Sequence, residues 1–172
     1  CEVMRVCTDR CFSMSRFITR FADVVKIPEP HLVPVNLNDL VFSCKRFMEG
    51  MCADRNITIT LDIDEELGEV KLDVALFEQV LVNIIKNAAE SIEQNGEIKI
   101  RTYSPGGIEV ADNGKGITKE TEAKLFSPFF STKPNGQGIG LIFIREVLMR
   151  HGCSFSLRTY TDGWTRFRML FN

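Results

Sequence analysis

Four short segments carry residue types that could do chemistry, and they stand in a fixed order along the chain. The first is Asn83-Ile84-Ile85-Lys86-Asn87-Ala88-Ala89-Glu90-Ser91. Residues four apart lie one above the other on a helix, so Asn83 and Asn87 share one face. A neutral amide can offer its carbonyl oxygen to a hard cation such as Mg²⁺, which keeps waters and phosphate oxygens as its other ligands. The same pair would equally suit the wet side of an amphipathic helix. The second is Asp112-Asn113-Gly114-Lys115-Gly116-Ile117. A carboxylate at a strand end can accept from an exocyclic amine, and Gly114 and Gly116 would let a planar ring approach the backbone without a Cβ in the way. Alone, Asp-Asn-Gly is an ordinary turn sequence.

The third segment is Leu125-Phe126-Ser127-Pro128-Phe129-Phe130-Ser131-Thr132-Lys133. Phenylalanines in a loop-like stretch need cover, so they either pack as a small lid or lie over a ligand. Lys133 could reach phosphate oxygens as a point charge, or it is simply solvated. The fourth is Gly136-Gln137-Gly138-Ile139-Gly140-Leu141, which opens a helix. Glycine-rich backbone at a helix N-terminus presents free N–H groups and the positive dipole end to an anion. It lacks the Lys-Ser/Thr of a P-loop and does not follow a strand as a dinucleotide fingerprint should. A different kind of nucleotide site is required.

The surrounding periodicities supply the elements that would hold these segments. Met14, Phe17, Ile18, Phe21 and Val24 form one apolar helical stripe. The prolines in Ile27-Pro28-Glu29-Pro30-His31 end it and read as a linker. Asn36 is a predicted N-cap, with Asp39 in a capping-box-like relation. Leu37, Leu40, Val41, Cys44, Phe47, Met48 and Met51 make the expected buried stripe of the helix that follows. Alternation at Ile57, Ile59, Leu61 and Ile63 predicts a strand. Asp73 caps a helix carrying Phe77, Val80, Leu81, Ile84, Ile85, Ala88 and Ile92, and Asn95-Gly96 is expected to end it. Ile98 and Ile100 start another strand, and Ser104-Pro105-Gly106-Gly107 turns it into Ile108–Ala111. A short helix is expected over 119–126, and a longer one ends at Arg150-His151-Gly152. Two alternating strands, Cys153–Leu157 and Phe167–Phe171, close the chain around Asp162-Gly163. The total predicts an α+β fold: a two-layer α/β sandwich of about five mixed strands with helices on one face. Residues 1–30 read as the end of a helical domain plus linker, and 31–172 as one further domain.

Composition narrows the possibilities. At 172 residues, 44% hydrophobic and 26% charged, with a net charge of −2, the chain has ordinary globular composition and no general nucleic-acid or anionic-membrane surface. No apolar run approaches the ~18 residues needed to cross a bilayer. The chain opens on Cys1, as expected of a fragment, so anchoring of a longer protein in an inner membrane stays open. Six cysteines (Cys1, Cys7, Cys11, Cys44, Cys52, Cys153) without a C-x-x-C pair are expected to be reduced, in a cytoplasmic setting. His31 and His151 are far apart and make an unpromising metal pair.

In this order the segments resemble the ATPase-kinase superfamily of gyrases, heat-shock chaperones, histidine kinases and mismatch-repair proteins. Asn-x-x-x-Asn-Ala, Asp-x-Gly-x-Gly, Phe-x-Pro-Phe-Phe-x-x-Lys and Gly-x-Gly-Ile-Gly-Leu are similar to the sensor histidine kinases in particular, and the proline-bearing linker resembles nitrogen-regulation-type kinases. The resemblance implies that Asn87 ligands Mg²⁺ with Asn83 in support. It implies that Asp112 accepts from the adenine amine, and that Gly114, Gly116 and Ile117 line the base pocket. Phe129, Phe130 and Lys133 would form a lid over ATP, while Gly136, Gly138, Ile139, Gly140 and Leu141 face the phosphates. Thr165 would sit beside Asp112. Implied partners are the protein's own dimerisation domain, in a homodimer, and a response-regulator receiver domain.

Three features depart from that pattern. Glu90-Ser91 stands where many members carry a lysine and an aromatic residue, Trp164 intrudes before Thr165, and no phosphoacceptor histidine is present. The hydrolases of the superfamily resemble one another in placing a glutamate where this chain has Asn83, which favours phosphoryl transfer over hydrolysis. An ATP-driven clamp and a non-catalytic nucleotide sensor are the alternatives.

Overall fold

The computed structural model describes residues 27–127 and 140–172, and the apolar stripe from Met14 to Val24 lies outside them. Strand β1 (Val33–Asn36) runs directly into helix α1 (Leu37–Asp54). The Asn36 side chain caps it, its Oδ1 accepting from the N–H groups of Asn38 at 2.9 Å and Asp39 at 3.3 Å. Those are two of the N–H groups that a helix start leaves without partners. Leu37, Leu40, Val41, Cys44, Met48 and Cys52 are buried along α1. Phe47, expected in this stripe, is 74% exposed. At 3.6 residues per turn it sits about a quarter-turn from the centre of the stripe, whose track passes through Cys44, Met48 and Cys52 instead.

Strands β2 (Ile57–Asp62), β3 (Glu69–Leu72), β4 (Gly96–Tyr103), β5 (Gly107–Asp112), β6 (Cys153–Thr159) and β7 (Thr165–Phe171) complete the β structure. Five of them form one sheet in the order β2-β4-β5-β7-β6, with β2 parallel to β4 and every other pair antiparallel. This is the mixed sheet that the alternating residues predict. A separate antiparallel pair, β1 with β3, was not expected. Helices α2 (Val74–Ile92), α3 (Lys119–Glu122) and α4 (Gly140–Arg150) follow the same chain order as the expected ones. Helix α2 ends earlier than Asn95-Gly96. Glu93 takes the cap with φ 67°, Gln94 N–H closes a tight turn onto the Ile92 carbonyl at 2.9 Å, and Gly96 already belongs to β4. The helix expected over 119–126 stops at Glu122. Beyond it Leu125 is buried, and Phe126 stands edge-on to Phe155 and Phe167 at 5.3 and 6.4 Å.

Alternation explains the core. On β4, Ile98, Ile100 and Thr102 are buried; on β5, Ile108, Val110 and Asp112; on β7, Thr165, Phe167, Met169 and Phe171. Against them α2 buries Phe77, Val80, Leu81, Ile84, Ile85, Ala88 and Ala89, while α4 buries Ile142, Ile144, Val147 and Leu148. Each fully buried aliphatic or aromatic side chain contributes roughly 1.5–3 kcal/mol, so this face is what holds α2 and α4 on the sheet. Cys44, Cys52 and Cys153 are free and buried, and burial raises all three thiols, to about 11 for Cys44 and about 12 for Cys153. Among the described residues no helix is long and apolar enough to cross a membrane.

The linker is fastened to the far end of α4. Ile27 is buried, and its carbonyl accepts from the Arg150 guanidinium at 2.6 Å. His31 N–H donates to Asp73 Oδ2 at 2.9 Å, while Asp73 Oδ1 accepts from Leu76 N–H as the cap of α2. These donors hold the Asp73 carboxyl below the usual carboxylate range. The Asp73 N–H in turn donates to His151 Nε2 at 3.0 Å, and His151 Nδ1 lies 2.7 Å from the Val147 carbonyl. An accepting Nε2 and a Nδ1–H donor together assign the neutral tautomer.

Candidate functional site

The site grows from the end of β5. Asp112 is on the inward-facing alternation of that strand, where its neighbours Ile108 and Val110 are core, and it is only 6% exposed. Gly114 N–H donates to its Oδ1 at 3.0 Å. Burial pushes the carboxyl up to about 6, against the downward pull of that N–H and of the Ser91 hydroxyl. A buried carboxylate with a fixed oxygen is a strong acceptor, and among the described residues no Lys or Arg forms an ion pair with it.

The glycines around it have reasons the sequence did not disclose. A Cβ on Gly114 would meet Ser91 Oγ at 2.4 Å and the Ser91 carbonyl carbon and oxygen at 2.6 and 2.7 Å. The loop therefore lies flush on the last turn of α2, and Lys115 N–H donates to the Ser91 carbonyl at 3.2 Å. Glycine is needed at 114 for this helix contact. Gly116 adopts φ 77°, the left-handed region that a Cβ disfavours, and faces Thr159. Ile117 N–H then donates to Thr159 Oγ1 at 2.7 Å, and that oxygen is 2.7 Å from Thr165 Oγ1. Thr165 is 4% exposed and is the cross-strand partner of Asp112. Asp112, Gly114, Gly116, Ile117 and Thr165 are thus brought together by one run of hydrogen bonds and strand pairing.

Trp164 does not disturb Thr165. Its N–H closes a turn onto Asp162 Oδ1 at 3.0 Å, and its ring lies under Lys99 Nζ at 4.5 Å. Lys99 is an exposed residue of β4, so the indole belongs to the outer face of the sheet while Thr165 keeps its inward position.

Asn83 and Asn87 are half-buried on α2, and Ser91 is the next residue in the same i, i+4 series. That stripe ends where Gly114 touches the helix, so both amides are on the face of α2 that leads to Asp112. Among the described residues there is no cluster of three or more His, Cys, Asp or Glu fit to hold a metal, so a cation here would depend on amide oxygens and ligand oxygens. Gly140 is exposed at the start of α4, with open space where a Cβ would be, and Leu141 packs against the core. Phe129, Phe130, Lys133, Gly136, Gly138 and Ile139 lie outside the described residues.

Two contributors escaped the sequence reading. Ser91 counted only as a departure from a pattern, yet it contacts both Gly114 and the Asp112 carboxyl. Thr159 carried no motif. Its signal was available in parity, because it continues the Cys153, Phe155, Leu157 alternation with a polar residue.

Residues 72–172 match the family profile described as histidine kinase-, DNA gyrase B- and HSP90-like ATPase. The sensor histidine kinase ZraS of Salmonella typhimurium (strain LT2) is 27% identical over 162 residues, covering 92% of this chain and 35% of that protein. The chain therefore spans about a third of the length of such relatives. Among solved structures, the nucleotide-free catalytic domain of histidine kinase ThkA is 30% identical with a TM-score of 0.73, over 81% of this chain and 93% of that one. A structure of ThkA in complex with the response regulator protein TrrA shares the fold at a TM-score of 0.72 and 24% identity, over 99% of this chain and 51% of that one.

Proposed function

The chain belongs to the histidine kinase-, DNA gyrase B- and HSP90-like ATPase family, and on that premise we propose that it is the ATP-binding catalytic part of a sensor histidine kinase in two-component signalling. The observation that carries the reading is the buried Asp112 carboxylate, held at one oxygen by Gly114 N–H and set across from Thr165. An acceptor of this kind suits the exocyclic amine of adenine. The i, i+4 amides of Asn83 and Asn87 fit a Mg²⁺ that shares its coordination with phosphate oxygens, and the ion would supply charge neutralisation there. Asn87 would hold it and Asn83 support it.

In this reading the chain's residues bind and orient, and chemistry follows from position. Asp112 and Thr165 fix the base end, with Gly114, Gly116 and Ile117 lining it. The glycine run Gly136, Gly138, Ile139, Gly140 and Leu141 receives the phosphates at the start of α4, and Phe129, Phe130 and Lys133 cover them. The γ-phosphorus then exchanges its bond to the bridging oxygen for one to an imidazole nitrogen of a histidine on the helical dimerisation domain, leaving ADP. Asn83 occupies the place where a hydrolase would need a base, which favours the histidine over water as acceptor. The full-length protein, whether or not it is anchored in an inner membrane, would act as a homodimer that keeps this part in the cytoplasm and passes the phosphoryl group to a response-regulator receiver domain. Residues 1–30 would be the end of the dimerisation domain and its linker.

The test mixes the chain with γ-labelled ATP, MgCl₂ and a purified dimerisation domain bearing its histidine. Label on that histidine is expected, and Asn87→Ala should lower its rate by roughly 100-fold or more. Release of label only as free phosphate would replace the kinase with a hydrolase, and tight binding without turnover would leave a nucleotide sensor.

A further inference from the structure

Thr159 lies outside every motif, yet three elements converge on it. Its hydroxyl accepts Ile117 N–H at 2.7 Å and contacts the Thr165 hydroxyl at 2.7 Å, while its N–H donates to Glu122 Oε1 at 3.2 Å. A hydroxyl oxygen has one proton and two lone pairs. Ile117 takes one lone pair of Thr159, and in the 2.7 Å contact with Thr165 either hydroxyl could donate to the other. With Thr159 donating, Thr165 accepts and keeps its own proton for a third group. Thr165 is buried and cross-strand from Asp112, so that proton is available beside the carboxylate. Either direction leaves one hydroxyl proton without a partner among the described residues, but a ring-nitrogen acceptor beside Asp112 would take the Thr165 proton and so select the direction in which Thr159 donates.

We propose that Thr159 is a positioning residue for purine recognition: it orients the Thr165 hydroxyl as a donor beside the Asp112 acceptor and pins the Gly116-Ile117 backbone under the base. The inference rests on the nucleotide-binding reading above. It predicts a donor and an acceptor side by side, as the ring-nitrogen and amine edge of adenine requires.

Calorimetric titration of ADP with MgCl₂ tests it, beside amide hydrogen exchange. Thr159→Val, nearly isosteric but without the hydroxyl, should weaken ADP binding about tenfold and deprotect the Ile117 amide while sparing the Gly114 amide, which Asp112 holds. Thr159→Ser should bind within about twofold of the parent. Thr165→Val should weaken binding by itself, and adding Thr159→Val to it should lower affinity little further, because the two act as one unit. Should the valine variant not fold, Thr159→Ala carries the same measurements. Unchanged affinity in Thr159→Val, losses that multiply in the double variant, or a serine variant as weak as valine would each overturn the proposal. Absence of ADP binding by the unaltered chain would instead overturn the nucleotide reading.

Discussion

The sheet buries polar side chains at both of its ends, and the two ends treat them differently. At the end away from β5's last residue, Thr102 is 2% exposed, and its hydroxyl donates to Asn38 Oδ1 at 2.7 Å. The same hydroxyl accepts from Asp64 N–H at 3.0 Å, and Asn38 Nδ2 donates to the Asp64 carbonyl at 2.9 Å. Every member of this loop is neutral where it is buried, and every bond closes within the chain. At the opposite end the buried group is Asp112, an ionisable carboxylate raised to about 6 by its surroundings. A closed neutral network ties α1 to β4 and stabilises the fold. A buried charge held in place with no counter-ion among the described residues destabilises the ligand-free fold, and such perturbed groups mark sites that serve something else. Burial alone does not separate the two; charge and closure do.

The contrast can be broken at Asp112 first. Asp112→Asn should weaken adenine-nucleotide binding roughly 100-fold, since an acceptor bond to a charged group is worth about 1.5–3 kcal/mol, and titration of ADP measures it. The same substitution should stabilise the ligand-free domain at pH 7.5. The folded carboxyl lies near 6 against an ordinary 3.8. Its contribution is therefore present in full below about 3.8 and is lost as pH rises through about 6, a difference of about 3 kcal/mol. Urea unfolding at pH 5 and 7.5 should show the gain of the asparagine variant growing with pH. A variant that loses both affinity and stability at pH 7.5 would place Asp112 with the structural end.

Thr102→Val is the mirror experiment. It leaves Asn38 Oδ1 and Asp64 N–H without the hydroxyl, and should destabilise the domain by about 1–3 kcal/mol with ADP affinity unchanged per folded molecule. A change in affinity would show that the two ends are coupled. Trp164→Phe should do least. It exchanges one aromatic ring under Lys99 for another, on the outer face, and should alter stability by about 0.5 kcal/mol or less and ADP binding not at all. A drop in affinity would put the indole in the pocket rather than behind it.

Alternation made most of the sheet legible, and it also held more than the motifs did. Asp112, Thr165 and Thr159 each continue a core-facing alternation with a polar residue at the same end of neighbouring strands, so parity alone points to a shared polar edge. Thr102 continues one as well, and parity cannot tell it from the others; the distinction lies in partners such as Asn38, which comes from α1, 64 residues away in sequence. The pairing of β1 with β3 was hidden for a similar reason. Val33-Pro34-Val35-Asn36 is short and carries a proline, and its partner Glu69–Leu72 is reached only after α1 and β2. Ser91 follows Asn83 and Asn87 at the same spacing, but spacing does not report its role, which comes from the absence of a side chain on Gly114. Phe47 keeps the helical spacing of the α1 stripe but lies at its edge, where it stays exposed.

The ties at the start of the described chain have a mechanical consequence. Arg150 grips the Ile27 carbonyl and Asp73 grips the His31 N–H, so the backbone enters the domain through two directional bonds four positions apart in numbering. Twisting the entering chain about its own axis must break them, at about 1 kcal/mol each, and unseat Ile27 besides. The entry point is a keyed joint with one tie to each of two helices, Arg150 at the end of α4 and Asp73 at the cap of α2.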